Sequence, residues 1–508
     1  MTKINGVSGD GWFDSVKKVV KTNVEAAQNA LFKAKDGVTG GDKVKEVNEM
    51  SPEELLENIQ ECRRNNKNFL EEYITNNIAL SDTTRKSAVL GVYNKIANLT
   101  GCQSDTIRKI FNNELNKQFD SVGFVNTEKM ERILEEMTLK PKDLGVRIKL
   151  LAKNETDKVY DDEYTVLKEL ITPDNVEDVL TSFSAEERLL DTILNGSWGD
   201  NHVRRDFAEH IYDALAEKYE TPDDIKKLFM KELDEQIPKG LSKLISSANT
   251  ERLDGILYCM KLSPKAIGEY IFSNADNQKG AIGKENSVIS KNSDILISLI
   301  SPKNVKEVLM DYTGKENIMH TILTEYSSDV QKRKDAAKHI FDALSEASNT
   351  PDSIKNKFYE ELDSQMFDTL MPANSEKLDY ITNAILMSPK QLGEKIYNVS
   401  GEKFGAVGTF EFDTLIELIT PDIVESVLND YTGNESLMST IISEWQSDDR
   451  LTVNSAMHVY DALAEAKDAP PEMRNEFLEE LNKQVNGFGE IFNNSKKLDE
   501  IINEILSL

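Results

Sequence analysis

The sequence predicts an all-α protein, a tandem array of four helical-bundle repeats stacked as a curved rod or α-solenoid. Three observations carry that prediction. The phrase Phe-x-x-Glu-Leu-x-x-Gln occurs four times, as Phe111/Glu114/Leu115/Gln118, Phe229/Glu232/Leu233/Gln236, Phe358/Glu361/Leu362/Gln365 and Phe477/Glu480/Leu481/Gln484. Its starts lie 118, 129 and 119 residues apart, so one unit has been repeated. Leucine and isoleucine recur at three- and four-residue spacing, the period of an amphipathic helix. No strand-type alternation bounded by hairpin signals breaks that pattern, and roughly 70% helix is expected.

The organisation that follows is an N-terminal arm, 1–45, and repeats at 46–152, 165–273, 293–398 and 412–508, each of about six short helices. Every repeat opens on a hydroxyl–proline pair: Ser51-Pro52, Thr172-Pro173, Ser301-Pro302 and Thr420-Pro421. Ser or Thr accepts a hydrogen bond from the first free amides of a helix, and Pro suits the next position because its missing N–H would have no partner there. Val176, Val179 and Leu180 follow on one face in the second copy, and Val424, Val427 and Leu428 in the fourth. A second helix carries Leu190, Ile193 and Leu194, or Met438, Ile441 and Ile442.

The third helix carries His210-Ile211-Tyr212-Asp213-Ala214-Leu215, echoed from His339 and from His458; the first copy diverges, with Gly91-Val92-Tyr93-Asn94. The fourth helix, opening at Thr221-Pro222 or Thr350-Pro351, contains the shared phrase. Phe and Leu at i and i+4 point inward and Gln at i+7 sits at the edge. A fifth helix starts at Asn126-Thr127, Asn249-Thr250, Asn374-Ser375 and Asn494-Ser495, and a sixth at Pro141, Pro264 and Pro389, with Gly145, Gly268 and Gly393 one turn on. The fourth copy stops at Leu508 where its sixth helix would begin, so that helix is expected to hand the chain to the next copy. Gly37-Val38-Thr39-Gly40, Gly280-Ala281-Ile282-Gly283 and Gly405-Ala406-Val407-Gly408 read as hinges or turns. Discrete bundles in a row and helix pairs in a continuous superhelix both fit this pattern.

The formal net charge is -29, which repels phosphate and sets nucleic acid aside as a partner. Charge is uneven: residues 1–45 hold eight lysines and five acids, a basic arm before an acidic body. Cys62, Cys102 and Cys259 are odd in number and unrelated in repeat position, which suits a reducing, cytoplasmic compartment rather than a disulfide framework or a zinc set. No apolar run approaches the ~18 residues of a membrane span, and no secretory h-region is present.

His210, His339 and His458 hold one repeated position, but on different copies they do not converge on one metal ion. A helix–helix contact, with Asp213, Asp342 or Asp461 three residues on, is the expected role. The phrase glutamates are expected on a solvated helix face, and Asp200, Asp329 and Asp448 at the N-cap of the third helix. Signatures of nucleotide binding, metalloprotease and serine-hydrolase chemistry are missing. No catalytic, cofactor-binding or metal-binding residue is therefore predicted, and no cofactor.

The arm is the segment with a signal of its own. Trp12, Phe13, Val16, Val19, Val20, Val24, Ala27, Leu31 and Ala34 keep helical spacing, with Lys17, Lys18, Lys21, Lys33 and Lys35 around the polar side. A basic helix with aromatic entry residues can lie flat on an anionic membrane, and Trp12, Phe13 and those five lysines are the predicted membrane or partner contacts. Capping of the exposed end of the first repeat is the alternative. Leu31-Phe32-Lys33-Ala34-Lys35-Asp36-Gly37-Val38 resembles the lysine-rich, Gly-Val-ending 11-residue repeat of synucleins, over one repeat's worth of residues. That resemblance implies a membrane-surface helix. A similar N-terminus opens the actin-localising effectors of the endosymbiont Wolbachia, which implies secretion into a host cytoplasm and a cytoskeletal protein partner, actin first. The function expected is thus a non-enzymatic helical-repeat interaction protein, with a peripheral membrane protein anchored through the arm as the alternative.

Overall fold

The computed structural model describes residues 41–508 except 77–79, 121–124, 154–161, 184–187, 197–200, 238–247, 277–292, 313, 315–316, 326–328, 367–374, 401–405, 434, 445–448 and 487–494. Every regular element among the described residues is a helix, and the chain is all-α. The first segment comprises α1 (Gly41–Glu49), α2 (Pro52–Arg64), a π-helical turn (Glu71–Thr75), α3 (Asp82–Thr100), α4 (Asp105–Asp120), α5 (Glu128–Met137) and α6 (Pro141–Ala152). The second comprises α7 (Glu163–Glu169), α8 (Val176–Thr181), α9 (Leu189–Asn195), α10 (Asn201–Tyr219), α11 (Asp223–Gln236), α12 (Glu251–Met260) and α13 (Pro264–Asp276). The third comprises α14 (Ser293–Ser298), α15 (Val305–Met310), α16 (Ile318–Glu325), α17 (Val330–Ala347), α18 (Asp352–Met366), α19 (Glu376–Ile385) and α20 (Pro389–Ser400). The fourth comprises α21 (Ala406–Glu417), α22 (Val424–Asp430), α23 (Leu437–Glu444), α24 (Asp449–Lys467), α25 (Pro471–Asn486) and α26 (Lys496–Leu506).

The described residues thus hold one more helix per segment than the sequence pattern suggested, lying ahead of the hydroxyl–proline pair: α1, α7, α14 and α21. Ala406, Val407 and Gly408, read above as a hinge, lie inside α21, which Phe412, Leu415 and Ile416 anchor in the core. Likewise Gly41–Lys45, placed with the arm, begin α1, whose Val44 and Val47 are buried.

The hydroxyl–proline pairs divide in two. Ser51 caps α2 by a capping box, its hydroxyl accepting from the Glu54 amide at 3.1 Å while its own amide donates to the Glu54 carboxylate at 2.8 Å. Thr172, Ser301 and Thr420 cap nothing, because α8, α15 and α22 start only at Val176, Val305 and Val424. In two of these copies an Asn rewires the turn. Asn175 Oδ1 accepts from the Thr172 amide at 2.9 Å and its Nδ2 donates to the Leu170 carbonyl at 2.8 Å. Asn304 does the same with Ser301 and Leu299. In the fourth copy Ile423 holds that position and α22 starts equally late, so the Asn bonds brace the turn without setting its length.

Each third helix ends in a left-handed residue: Gly101 (φ 71°), Glu220 (48°), Asn349 (48°) and Asp468 (55°). In three of them the following amide reaches back to close the helix, Thr221 to Ala216, Thr350 to Ser345 and Ala469 to Ala464, at 2.9–3.0 Å. That turn aims the fourth helix back along the third, and aromatic stacks then join them. Ring centroids are 4.5 Å apart for Tyr93–Phe111, 4.6 Å for Tyr212–Phe229, 3.7 Å for Phe341–Phe358 and 4.4 Å for Tyr460–Phe477. The Phe of every phrase is fully buried, as the spacing predicted.

The chain divides into two compact units, one ending at Thr221 and including Phe229–Asp254, the other formed by Pro222–Leu228 and Gly255–Leu508. In the first, α6 lies on α8; in the second, α13 lies on α15 and α20 on α22. Each of α6, α13 and α20 crosses its partner at a glycine. A Cβ at Gly145 would stand 1.7 Å from Ser182 Oγ and 3.1 Å from the Val179 carbonyl oxygen; at Gly268 it would meet the Val308 carbonyl at 3.3 Å, and at Gly393 Tyr431 Cα at 3.5 Å. Phe272 and Tyr397, one turn beyond, meet Tyr312 and Tyr431 edge-on at 6.2 and 6.3 Å. No helix among the described residues is long and apolar enough to cross a membrane.

Candidate functional site

Trp12, Phe13, Lys17, Lys18, Lys21, Lys33 and Lys35, the predicted contact residues, lie outside the described residues. Within the described chain the polar groups fall into four sets, three recurring from segment to segment and one confined to the first junction.

The histidines form the first set. His210 Nε2 donates to the Ile171 carbonyl at 2.8 Å, His339 to Ile300 at 2.8 Å and His458 to Ile419 at 2.9 Å. Each third helix thus caps the last carbonyls of the helix ahead of the hydroxyl–proline pair. In the third and fourth segments the expected His–Asp contact is not the one formed: Asp342 accepts from the Tyr359 hydroxyl, and Asp461 holds Arg474 through two bonds at 2.9 and 3.1 Å. In the divergent first segment Lys95 takes over, its ammonium donating to the Val47, Asn48 and Met50 carbonyls at 3.2, 2.9 and 2.7 Å. His339→Ala would leave the buried Ile300 carbonyl without its donor, and urea unfolding should show a loss of about 1–3 kcal/mol. An unchanged midpoint would remove the capping role.

The second set corrects the expectation of a solvated glutamate. In every phrase Gln donates to Glu, at 2.5 Å (Gln118–Glu114), 3.0 Å (Gln236–Glu232), 2.7 Å (Gln365–Glu361) and 2.8 Å (Gln484–Glu480). The same carboxylate pairs with a fifth-helix cation: Lys129 at 3.6 Å, Arg252 at 3.3 Å, Lys377 at 2.9 Å and Lys497 at 3.5 Å. The glutamate side chains are only 7–14% exposed. In the first two segments the Gln carbonyl also accepts from the Asn126 or Asn249 amide, tying the fourth helix to the start of the fifth.

The third set was not foreseen. Four residues after each fifth-helix hydroxyl stands an acid: Glu131, Asp254, Asp379 and Asp499. Thr250, Ser375 and Ser495 donate to theirs at 2.9, 2.6 and 3.1 Å. Glu131 accepts instead from the Phe69 and Leu70 amides at 2.8 and 3.0 Å, Asp254 faces Arg188 at 3.6 Å, and Asp499 takes the Ser436 hydroxyl. Ser375, having given its proton to Asp379, accepts from His320 Nδ1 at 3.1 Å. Each acid therefore faces the first turn of its segment's second helix, Glu131 through backbone amides and the others through the side chains of Arg188, Ser375 with His320, and Ser436, near the end where the peptide dipoles favour negative charge. Burial outweighs those bonds, pushing Glu131 up to about 7 and Asp254 up to about 6, and raising Asp499. A hydroxyl-x-x-x-acid pattern in all four copies was the available signal.

The fourth set lies where α5, α6 and α7 meet. Glu136 (2% exposed) and Glu163 (3% exposed) face one guanidinium, Arg147, whose Nε is 3.5 Å from Glu136 Oε1 and whose Nη2 is bonded to Glu163. Beside them Lys129 bridges Asp162 at 2.6 Å and Glu114. Lys129, Arg132, Ile133, Glu136, Asp162, Glu163 and Val166 enclose a cavity of about 10 Å³, room for a single water. Chemically this is a place to hold a proton rather than a substrate.

Among the described residues no group of three or more His, Cys, Asp or Glu is arranged to hold a metal ion. Compared with known proteins, the chain matches no family model, no curated protein and no solved structure.

Proposed function

We propose that the chain is a non-enzymatic interaction protein, a tandem array of like helical segments that displays an acidic surface and a basic arm to a protein partner. What supports this reading is one observation: the recurring polar side chains are engaged in joining helix to helix. His or Lys on helix carbonyls, Gln–Glu–cation between fourth and fifth helices, and acid at the start of the second are met in each segment by different residues in the same roles. Such groups serve a scaffold, and a scaffold of this kind works through its surface. The partner we propose is a host cytoskeletal protein, actin first, met inside a host cytoplasm. Actin is itself acidic, so a chain of net charge -29 must meet it through the lysines of the arm.

The amphipathic spacing of residues 12–35 favours a second reading, a peripheral membrane protein held by the same arm. One experiment separates the two. The full chain, and the full chain with Lys17, Lys18, Lys21, Lys33 and Lys35 changed to Glu, are co-sedimented with actin filaments and with phosphatidylserine vesicles. Pelleting with filaments, lost on charge reversal, is the expected result. Pelleting with vesicles alone makes the membrane the partner, and pelleting with neither overturns both readings.

A further inference from the structure

Glu136 is out of keeping with its position. Nine residues after the fifth-helix hydroxyl the second segment carries Cys259 and the third Ala384, both buried and both without charge, and the fourth carries Glu504, which is exposed. In the first segment a carboxyl stands there, facing a second carboxyl, Glu163, that arrives on α7. Neither oxygen of Glu136 finds a hydrogen-bond donor while both groups are ionised. Leaving a buried carboxylate in that state costs more than the single Arg147 contact at 3.5 Å returns.

We infer that Glu136 and Glu163 bind one proton between them at neutral pH, making a proton-operated clasp between α5 of the first segment and α7 of the second. The proton comes from water, and no covalent bond in the chain changes. With it in place one carboxyl donates to the other and both face Arg147, so every oxygen in the contact has a reason to stay. Without it two buried like charges are opposed, a state that adjacent carboxyls avoid by sharing a proton.

Around the cavity stand three carboxylates, Glu136 on α5, Asp162 at the N-cap of α7 and Glu163 on α7, with Glu114 of α4 behind Lys129. Against them stand three cations, Lys129 and Arg132 on α5 and Arg147 on α6. Glu135, the other acid of that turn, is engaged by Arg63 of α2 at 3.7 Å. Glu114 is likewise engaged by Lys117 of its own helix at 3.9 Å. Burial first, then the Glu163 carboxyl, raise Glu136 well above the usual carboxylate range, and Arg147 and Arg132 do not offset them.

Two measurements on the full chain test the clasp. Infrared difference spectra between pH 6 and pH 9 should contain the carbonyl stretch of protonated carboxylic acids, from which Glu136→Gln removes a component distinct from the one that Glu131→Gln removes. Hydrogen exchange of the α7 amides, corrected for intrinsic rates, should lose on the order of tenfold in protection over that range in the natural chain. In Glu136→Gln, whose amide supplies the donor at every pH, the loss should fall below about twofold. Should that variant fail to fold, Glu163→Gln places the same neutral donor on the other side and carries the same expectation. An unchanged band in Glu136→Gln, or an equal pH dependence of α7 exchange in variant and natural chain, overturns the inference.

Discussion

Replacing Phe358 by Ala is expected to lower the unfolding free energy by about 3–5 kcal/mol, the range for emptying a fully buried aromatic site. Its ring lies 3.7 Å from that of Phe341 with the planes 3° apart, and no part of it reaches solvent. The stack joins α17 to α18, so its loss removes apolar burial and the contact that fixes how the two helices lie. Gln365, in the same phrase, donates to Glu361 and sits at the edge, so Gln365→Ala should cost about 1 kcal/mol. Urea titrations of the two variants give the comparison. A Phe358→Ala loss below about 1 kcal/mol, or a larger loss for Gln365→Ala, would deny the phrase its place as a framework element.

The contrast inside that phrase also marks what the sequence makes legible. Phe and Leu four apart on an amphipathic helix can be buried only one way, so Phe111, Phe229, Phe358 and Phe477 were readable as core. Proline at the first helical position fixed the starts of α6, α13 and α20 at Pro141, Pro264 and Pro389. Of the helices ahead of the hydroxyl–proline pair, α7 and α14 escaped because they have seven and six residues, too few turns for a period to declare itself, while the starts of α1 and α21 were read as arm and hinge. The buried acids escaped for a different reason. Glu131 and Asp499 look like solvated surface until Phe69 and Ser436, each more than sixty positions away, are brought against them. Glu136 could not be found by repetition, since its counterparts are a buried Cys259, a buried Ala384 and an exposed Glu504, and those of Arg147 are Tyr270 and Lys395. Repetition exposes what all segments share, which is packing; what distinguishes one segment from the rest is visible only in three dimensions.

The shared acids lead to the second large effect, a stability that rises as the solution is made mildly acidic. Burial raises Glu131 from 4.5 to about 7, Asp254 from 3.8 to about 6, and Asp499 in the same direction. Between the unfolded and folded values the native chain holds protons that the unfolded chain has released. Unfolding then releases protons, so stability falls as pH rises through the folded values and is fully present below the unfolded ones. At 1.36 kcal/mol per pKa unit, Glu131 and Asp254 contribute about 3 kcal/mol each across their windows. The gain ends near pH 4 to 5, where Glu480, held down by the Gln484 amide bonded to it, and Asp224, held down by Lys227, begin to bind protons in the unfolded chain first. The thermal midpoint should therefore climb from pH 8 to a maximum at about pH 5 and drop below it. Relief of self-repulsion in a chain of net charge -29 acts in the same direction, and Glu131→Gln separates the two effects. The Gln carbonyl accepts from one of the Phe69 and Leu70 amides, the other losing its acceptor, and the side chain has no proton to lose, so the variant's midpoint should gain on that of the natural chain from pH 5 to pH 8. Parallel midpoint curves for the two proteins would assign the whole slope to surface charge, and a midpoint that falls between pH 8 and pH 6 would contradict the buried acids altogether.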